Sequence, residues 1–209
     1  MEFENMVALV SRTGRHLQRY DNGRRQVVGC IPYRYKDRIN ALPSFDEDAY
    51  EVLVISPQRK GKGMLFPKGG WEVDETIEAA ALRETIEEAG VVGDIECKLG
   101  TWNFGSMRSG NACEGHMFPL LVNEELDCWP EMNIRQRHWI SIREAREVCV
   151  KGWMMEALEL LASRLTRQNR QSKVGMFPGS ECGSQGILMP LRCGRQMLPL
   201  PPSNSAEEA

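Results

Sequence analysis

The chain of 209 residues has no apolar run near the ~18 residues that a membrane-crossing helix needs, so no membrane role is expected. It has no surplus of positive charge either. Its 26 Lys and Arg against 29 Asp and Glu leave a net charge of -3, which argues against a general nucleic-acid binder. Its seven cysteines, at 30, 97, 113, 128, 149, 182 and 193, include no CxxC. An odd number at irregular spacing does not make a disulfide framework and fits a reduced compartment. Cys113 and His116 form a CxxH, but no second pair follows at zinc-site spacing, so a structural metal is not expected there. Internal repeats are absent. The opening "MEFEN" has acids and no hydrophobic h-region, so a secretory signal is not expected. A cytoplasmic or nuclear location follows. Asp21 interrupts the arginines downstream, and a mitochondrial address stays as the alternative.

What is present is ordinary globular material, with 42% hydrophobic and 26% charged residues, enough to bury a core. Residues 1–24 form a basic segment with a turn at "YDNGRR". "QVVGCIPYRY" and "YEVLVIS" read as buried strands, separated by a loop over 37–49. "IECKLGTWNF", "GHMFPLLV" and the short "RHWISI" read as further strands. "REAREVCVKGWMMEALELLASRL" is an amphipathic helical region interrupted near Gly152. Strands mixed with two main helices indicate an α/β or α+β domain over 25–167. Residues 168–209 hold much of the Gly, Pro and Ser without any period, and are expected to be a disordered tail.

The strongest helix lies in "GGWEVDETIEAAALRETIEEAGV", from Gly69 to Val91. Asp74 is the expected N-cap and Gly90 the expected stop. Ile77, Ala80, Ala81 and Ile86 supply an apolar stripe at helical spacing. At 3.6 residues per turn, Glu84, Glu87 and Glu88 converge on one side of the last turns, at the negative end of the helix dipole. Such placement is costly unless a cation sits among them, and hard oxygen ligands suit Mg²⁺ or Mn²⁺. Arg83 is spaced to hold Glu87 at i,i+4, and Glu75 to orient Arg83.

The order Gly69, five residues, Glu75, seven residues, Arg83-Glu84, two residues, Glu87-Glu88, one residue, Gly90-Val91 fixes about nine positions in 23. On these residues the sequence resembles the Nudix hydrolases. Thr85 stands where an aliphatic residue is usual. The resemblance implies an α/β/α sandwich around a mixed sheet, with the box as loop–helix–loop. It implies metal-dependent hydrolysis of a phosphoanhydride bond in a small polyanionic substrate, with Glu84 and Glu88 as metal ligands. Glu87 is the choice for the proton acceptor from the attacking water, with Arg83 beside it in the catalytic set. Gly69, Gly70, Glu75 and Gly90 are the structural positions of the box.

The flanks address the substrate. "GCIPYRY", "LFPKGGWE" and "WPEMNIRQRHWISIREA" resemble the diphosphoinositol polyphosphate phosphohydrolase branch, its plant members above all. That branch also cleaves diadenosine polyphosphates. Matching its phosphate-binding positions points to Arg25, Ser56, Arg59 and Arg135. Lys68 and Arg137 are further candidate contacts, although Lys68 stands where animal relatives have glycine. A dense polyanion needs many cations on several loops, and the chain places basic residues before the first strand, after the second and around the box. Apart from Trp102 and Trp139 there is no clear aromatic pair to sandwich a purine, which slightly favours the inositol substrate. An ADP-ribose or NADH pyrophosphatase is the alternative. A non-catalytic binding module is disfavoured, because such modules usually lose box glutamates and all are present here.

Overall fold

The computed structural model describes residues 11, 12, 14–36, 49–58, 63–105, 110, 112–149 and 151–174, with side chains as far as 168. Strands β1 (Tyr20–Asp21) and β2 (Arg24–Tyr35) form a hairpin about Asn22 and Gly23. Both turn residues have positive φ, 46° and 73°. This is the conformation an Asn-Gly pair favours in a two-residue connection, as "YDNGRR" suggests.

The remaining elements are β3 (Tyr50–Ile55), β4 (Lys68–Gly70), helix α1 (Ile77–Ala89), β5 (Val91–Ile95), β6 (Gly100–Phe104), β7 (Cys113–Glu125), β8 (Arg137–Ser141), α2 (Ile142–Val148) and α3 (Gly152–Val174). The stretch "IECKLGTWNF", read as one strand, holds β6 and only the last residue of β5, a strand the sequence reading lacks. Glu96, Cys97 and Lys98 turn the chain between β5 and β6, and both strands pair with β7. Backbone bonds from Glu96 to Pro119 and from Leu99 to Met117 carry the pairing across the break. α3 runs to Val174, seven residues past the boundary expected at 167, because Thr166 and Arg167 still bond to carbonyls one turn back. The expected tail from 175 and the loop over 37–48 lie outside the described residues.

The sheet follows the order β5-β7-β2-β3-β8, with β1 and β4 also on β2 and β6 on β7. β2 and β7 are parallel and the other pairs antiparallel, so the sheet is mixed. Period-two alternation divides each strand between two cores. Val28, Cys30, Leu53, Ile55, Phe118 and Leu120 face α1. Ile31, Tyr33, Val52, Val54 and Met117 face α2 and α3. Helices thus cover both faces, the α/β/α sandwich that the box implied.

α1 differs from expectation at its start. Its N-cap is Thr76, whose hydroxyl accepts from the Ala79 N–H at 3.1 Å, not Asp74. Asp74 is bound to Arg12 instead. At the other end Gly90 takes the left-handed conformation, φ 62° and ψ 41°, and returns its N–H to the Ile86 carbonyl. The ring of Trp129 lies 2.6 Å from where a Cβ on Gly90 would stand, so both conformation and space demand glycine. Thr85 is fully buried, and its hydroxyl bonds to the Ala81 carbonyl at 2.8 Å. That local bond satisfies the polar atom and explains how threonine fills an apolar position.

Candidate active site

α1 leaves β4 through the loop 71–76 and carries its carboxylates back along β4. Arg83 stands at the centre of that arrangement. Its Nε and Nη2 donate to the two oxygens of Glu75 at 2.9 and 2.7 Å, a bidentate fork. Its Nη1 donates to Glu84 at 2.8 Å and to Glu87 at 3.4 Å, and Nη2 also reaches the Gly70 carbonyl at 2.9 Å. Glu75 accepts the Glu72 N–H at 3.0 Å as well, so the brace is anchored in the loop before the helix.

Glu88 is held separately. One oxygen accepts the Lys68 N–H at 2.8 Å, and the other receives Nη2 of Arg135. Arg135 donates on to Glu131 at 2.5 Å and to the Ser56 carbonyl at 3.2 Å. Glu84, Glu87 and Glu88 are all buried. Burial pushes the Glu84 carboxyl up to about 7 against the pull of Arg83, with Glu88 and Glu87 adding repulsion. Burial likewise raises Glu87 and Glu88, with Arg83 opposing it at the first and Lys68 at the second.

Gly69 sits against the Glu84 carboxylate. A Cβ there would fall 1.9 Å from Oε2, so the glycine provides the space the carboxylate occupies. Glu84 and Glu87 turn to Arg83 and Glu88 to Arg135, and among the described residues no three His, Cys, Asp or Glu side chains converge on one point. Charge still leaves room for a cation. When ionised, Glu75, Glu84, Glu87, Glu88 and Glu131 outnumber Arg83, Arg135 and Lys68 by two. A buried cluster two charges short, built of hard oxygen donors, fits a divalent ion such as Mg²⁺ or Mn²⁺.

The expected substrate contacts divide. Ser56, Lys68 and Arg135 meet around Glu88. The Ser56 hydroxyl accepts the Gln136 N–H at 2.9 Å. Arg25, on β2, donates its Nε to Gln18, whose carboxamide covers Gly70. Arg59 lies outside the described residues. Arg137 is not at the cluster. It caps the end of α1, donating to the carbonyls of Ala89, Gly90 and Leu126 at 3.1, 2.9 and 3.0 Å, and stacks on Trp129 at 4.2 Å. α1 has no basic residue in its own last turn, so this distant arginine supplies the favourable charge at its negative end.

One contributor escapes the sequence reading, and another is read only among the basic residues before the first strand. Glu131, four residues before Arg135, carried a helical-spacing signal in "EMNIR". Arg12 carried none. It bonds to Glu72 at 2.6 Å and Asp74 at 3.1 Å, some 60 positions away. His116 is a satisfied core histidine, bonded to Gln26 at 2.9 Å and Thr101 at 3.1 Å.

The NUDIX domain model matches residues 34–161. Nudix hydrolase 17, mitochondrial, from Arabidopsis thaliana is 54% identical over 173 residues, covering 83% of this chain and 93% of that protein. Nudix hydrolase 4 from the same plant is 59% identical over 160 residues, 76% of this chain and 75% of its own. Diphosphoinositol polyphosphate phosphohydrolase 3-alpha from Mus musculus is 34% identical over 154 residues, 72% of this chain and 92% of its own. Among solved structures, a NUDIX hydrolase from Nitrosomonas europaea superposes with a TM-score of 0.52 at 21% identity, covering 66% of this chain and 88% of that one, a likeness of fold. By this match and these identities, the chain belongs to the Nudix hydrolases, enzymes that cleave pyrophosphate bonds.

Proposed function

We propose that this enzyme hydrolyses a phosphoanhydride bond in a small, highly phosphorylated substrate, a diphosphoinositol polyphosphate and/or a diadenosine polyphosphate. The observation that carries the substrate class is the division among its cations. Arg24, Arg25 and Lys68 make no side-chain ion pair with a described carboxylate, yet Arg25 and Lys68 flank the box through Gln18–Gly70 and Glu88. Arg24 and Arg25 can meet phosphate without breaking such a pair, Arg25 bidentately, while Lys68 also offsets the charge of Glu88. The 34% identical mouse protein, named a diphosphoinositol polyphosphate phosphohydrolase, supports the inositol side of the reading.

Glu84 and Glu88 would hold the divalent ion, which when bound neutralises pyrophosphate oxygens and acidifies water. Glu87 takes the proton of the attacking water. Arg83 fixes Glu84 and Glu87 relative to each other. Arg135 and the Lys68 N–H orient Glu88. Ser56, Lys68 and Arg25 would line the path of the phosphates, and the resemblance adds Arg59. Arg137 holds the end of the helix. Water attacks one phosphorus and the other phosphate leaves, and most of the acceleration comes from positioning and electrostatics.

A nucleotide substrate of the ADP-ribose or NADH type is the second reading. The ring of Phe104 stacks on Trp153, centroids 4.6 Å apart and 8° from parallel, with Trp102 at 6.4 Å from Trp153. Trp102 thus packs with Trp153 against the core beneath α2 and α3, and not with Trp139. The organelle names of the plant relatives, mitochondrial for two and chloroplastic for a third at 54–58% identity, favour an organellar location over a cytoplasmic or nuclear one.

Phosphate or nucleotide release with Mg²⁺ and with Mn²⁺, measured side by side on an inositol pyrophosphate, a diadenosine polyphosphate and ADP-ribose, tests the proposal. Preference for either of the first two supports it. Preference for ADP-ribose, or inactivity on all three, overturns it.

A further inference from the structure

Residues 14–19 run along the loop that opens the box. The Val73 N–H donates to the Leu17 carbonyl at 2.9 Å and the Arg19 N–H to the Trp71 carbonyl at 2.8 Å. Beyond this ladder the chain crosses toward the other end of α1. Ser11 Oγ donates to Glu131 at 3.2 Å, while Arg12 reaches Glu72 and Asp74 at the helix start. Two adjacent residues therefore tie the loop before the catalytic helix to the loop between β7 and β8, whose Glu131 N–H bonds to the Glu87 carbonyl.

The Arg12–Glu72 pair is the anchor. Glu72 is buried, 5% exposed, and Arg12 is the cation bound to its carboxylate. A buried carboxylate deprived of its partner is strongly unfavourable, and it relaxes by moving or by taking up a proton. Glu72 also donates its backbone N–H to Glu75, the carboxylate that orients Arg83. A shift of Glu72 therefore passes to Glu75, to Arg83, and on to Glu84 and Glu87.

Resting on the pyrophosphohydrolase reading above, we infer that Arg12 is a positioning residue of the catalytic cluster. By neutralising Glu72 it keeps the loop 71–76 and the Glu75–Arg83 brace in register, and with Ser11 it closes one flank of the carboxylates. Its guanidinium is engaged by Glu72 and Asp74, in contrast to Arg25, and it is not a phosphate contact.

The full-length protein, its Arg12→Ala and Arg12→Lys variants, and the double variant Arg12→Ala/Glu72→Gln separate these roles. Steady-state kinetics on the substrate the wild type prefers are run well below each variant's thermal midpoint. Arg12→Ala should lose about tenfold in kcat with KM changed less than twofold, and Arg12→Lys should recover part of the loss. The double variant should recover most of it, because an amide at 72 needs no cation. A rise in KM at unchanged kcat would make Arg12 a substrate contact and overturn the inference. Unchanged kinetics with a lowered thermal midpoint would reduce it to a structural tie and overturn it too. Failure of Glu72→Gln to rescue would overturn the anchor. Wild-type inactivity on every pyrophosphate substrate would instead refute the underlying reading.

Discussion

Arg83, Arg135 and Arg137 differ from Arg24 and Arg25 in one respect that composition hides. The first three are spent. Arg83 makes bonds to three carboxylates and a carbonyl, Arg135 to two carboxylates and a carbonyl, and Arg137 to three carbonyls. The hairpin pair makes no ion pair with a described carboxylate, and Arg25 touches the neutral Gln18. Arginines within the cluster set geometry, because releasing one would leave a buried negative charge unmatched. Releasing either hairpin arginine strands no described carboxylate.

The comparison breaks hardest at Arg83. Arg83→Ala strands Glu75, Glu84 and Glu87, each half-buried or more, and should cost about 3–5 kcal/mol of folding stability. Activity should fall by a factor of about 100 or more at temperatures where the variant is folded. Arg83→Lys should restore little, since one ammonium cannot make the fork to Glu75 and reach Glu84 and Gly70 at once. Denaturant titration and steady-state kinetics check both parts. Near-wild-type activity of the lysine variant would show that charge alone suffices.

The shortage of positive charge should appear as a pH dependence in metal-free protein. Glu84 titrates near 7 when folded and near 4.5 when unfolded, so between those values the folded state binds the extra proton. Stability therefore falls as pH rises through that window, by at most about 3 kcal/mol, and stays lower above it. Glu87 and Glu88 shift in the same direction and add to the trend. The thermal midpoint in chelator should drop between pH 5 and pH 7.5, and Mg²⁺ should raise it most at the upper end. A flat profile would mean the cluster is already neutral.

Much of this was legible in the sequence, for a physical reason. Box spacing reports helical geometry, so Glu75, Arg83, Glu84, Glu87 and Glu88 could be placed relative to one another before any coordinate. Period-two runs likewise located most strands, though the polar turn at Glu96–Lys98 was lost inside one apolar window. Spacing carries no information on which distant carboxylate an arginine meets. Arg135 and Glu88 lie 47 positions apart and Arg12 and Glu72 lie 60 apart, so their pairing had no local signature. Arg137 was assigned to phosphate for the same reason: the carbonyls of a helix end have no pattern of their own.

Gly69→Ala probes the space beside the brace. The atoms that the new methyl meets belong to the end of the Glu84 side chain, which can move, so folding stability should change by less than about 1 kcal/mol. The displaced carboxylate should weaken the response to Mg²⁺ by about tenfold, a loss of the size seen when a metal ligand's support is disturbed. Activity titrated against Mg²⁺ measures it. An unchanged Mg²⁺ response would remove Glu84 from the metal site.

The smallest effect, and the most direct test of the uncommitted set, belongs to Arg25. Arg25→Gln removes a half-buried charge whose side-chain partner among the described residues is a neutral amide, so stability should move by no more than about 0.5 kcal/mol. Lost contact with a phosphate should raise KM by about five- to tenfold, the worth of one charge-assisted hydrogen bond, with kcat little changed. Salt sharpens the distinction. Raising ionic strength from 0.01 to 0.15 M shortens the Debye length from about 30 to about 8 Å, which weakens attraction to a polyanion. The wild-type KM should climb over that range, and the Arg25→Gln KM should climb less, because one of the screened charges is gone. Arg83 variants should keep the wild-type slope even where their kcat is low, since their charge faces fixed carboxylates and not the arriving substrate. If Arg25→Gln kept that slope as well, the hairpin arginine would belong with the committed set, and the division between the two groups would fail.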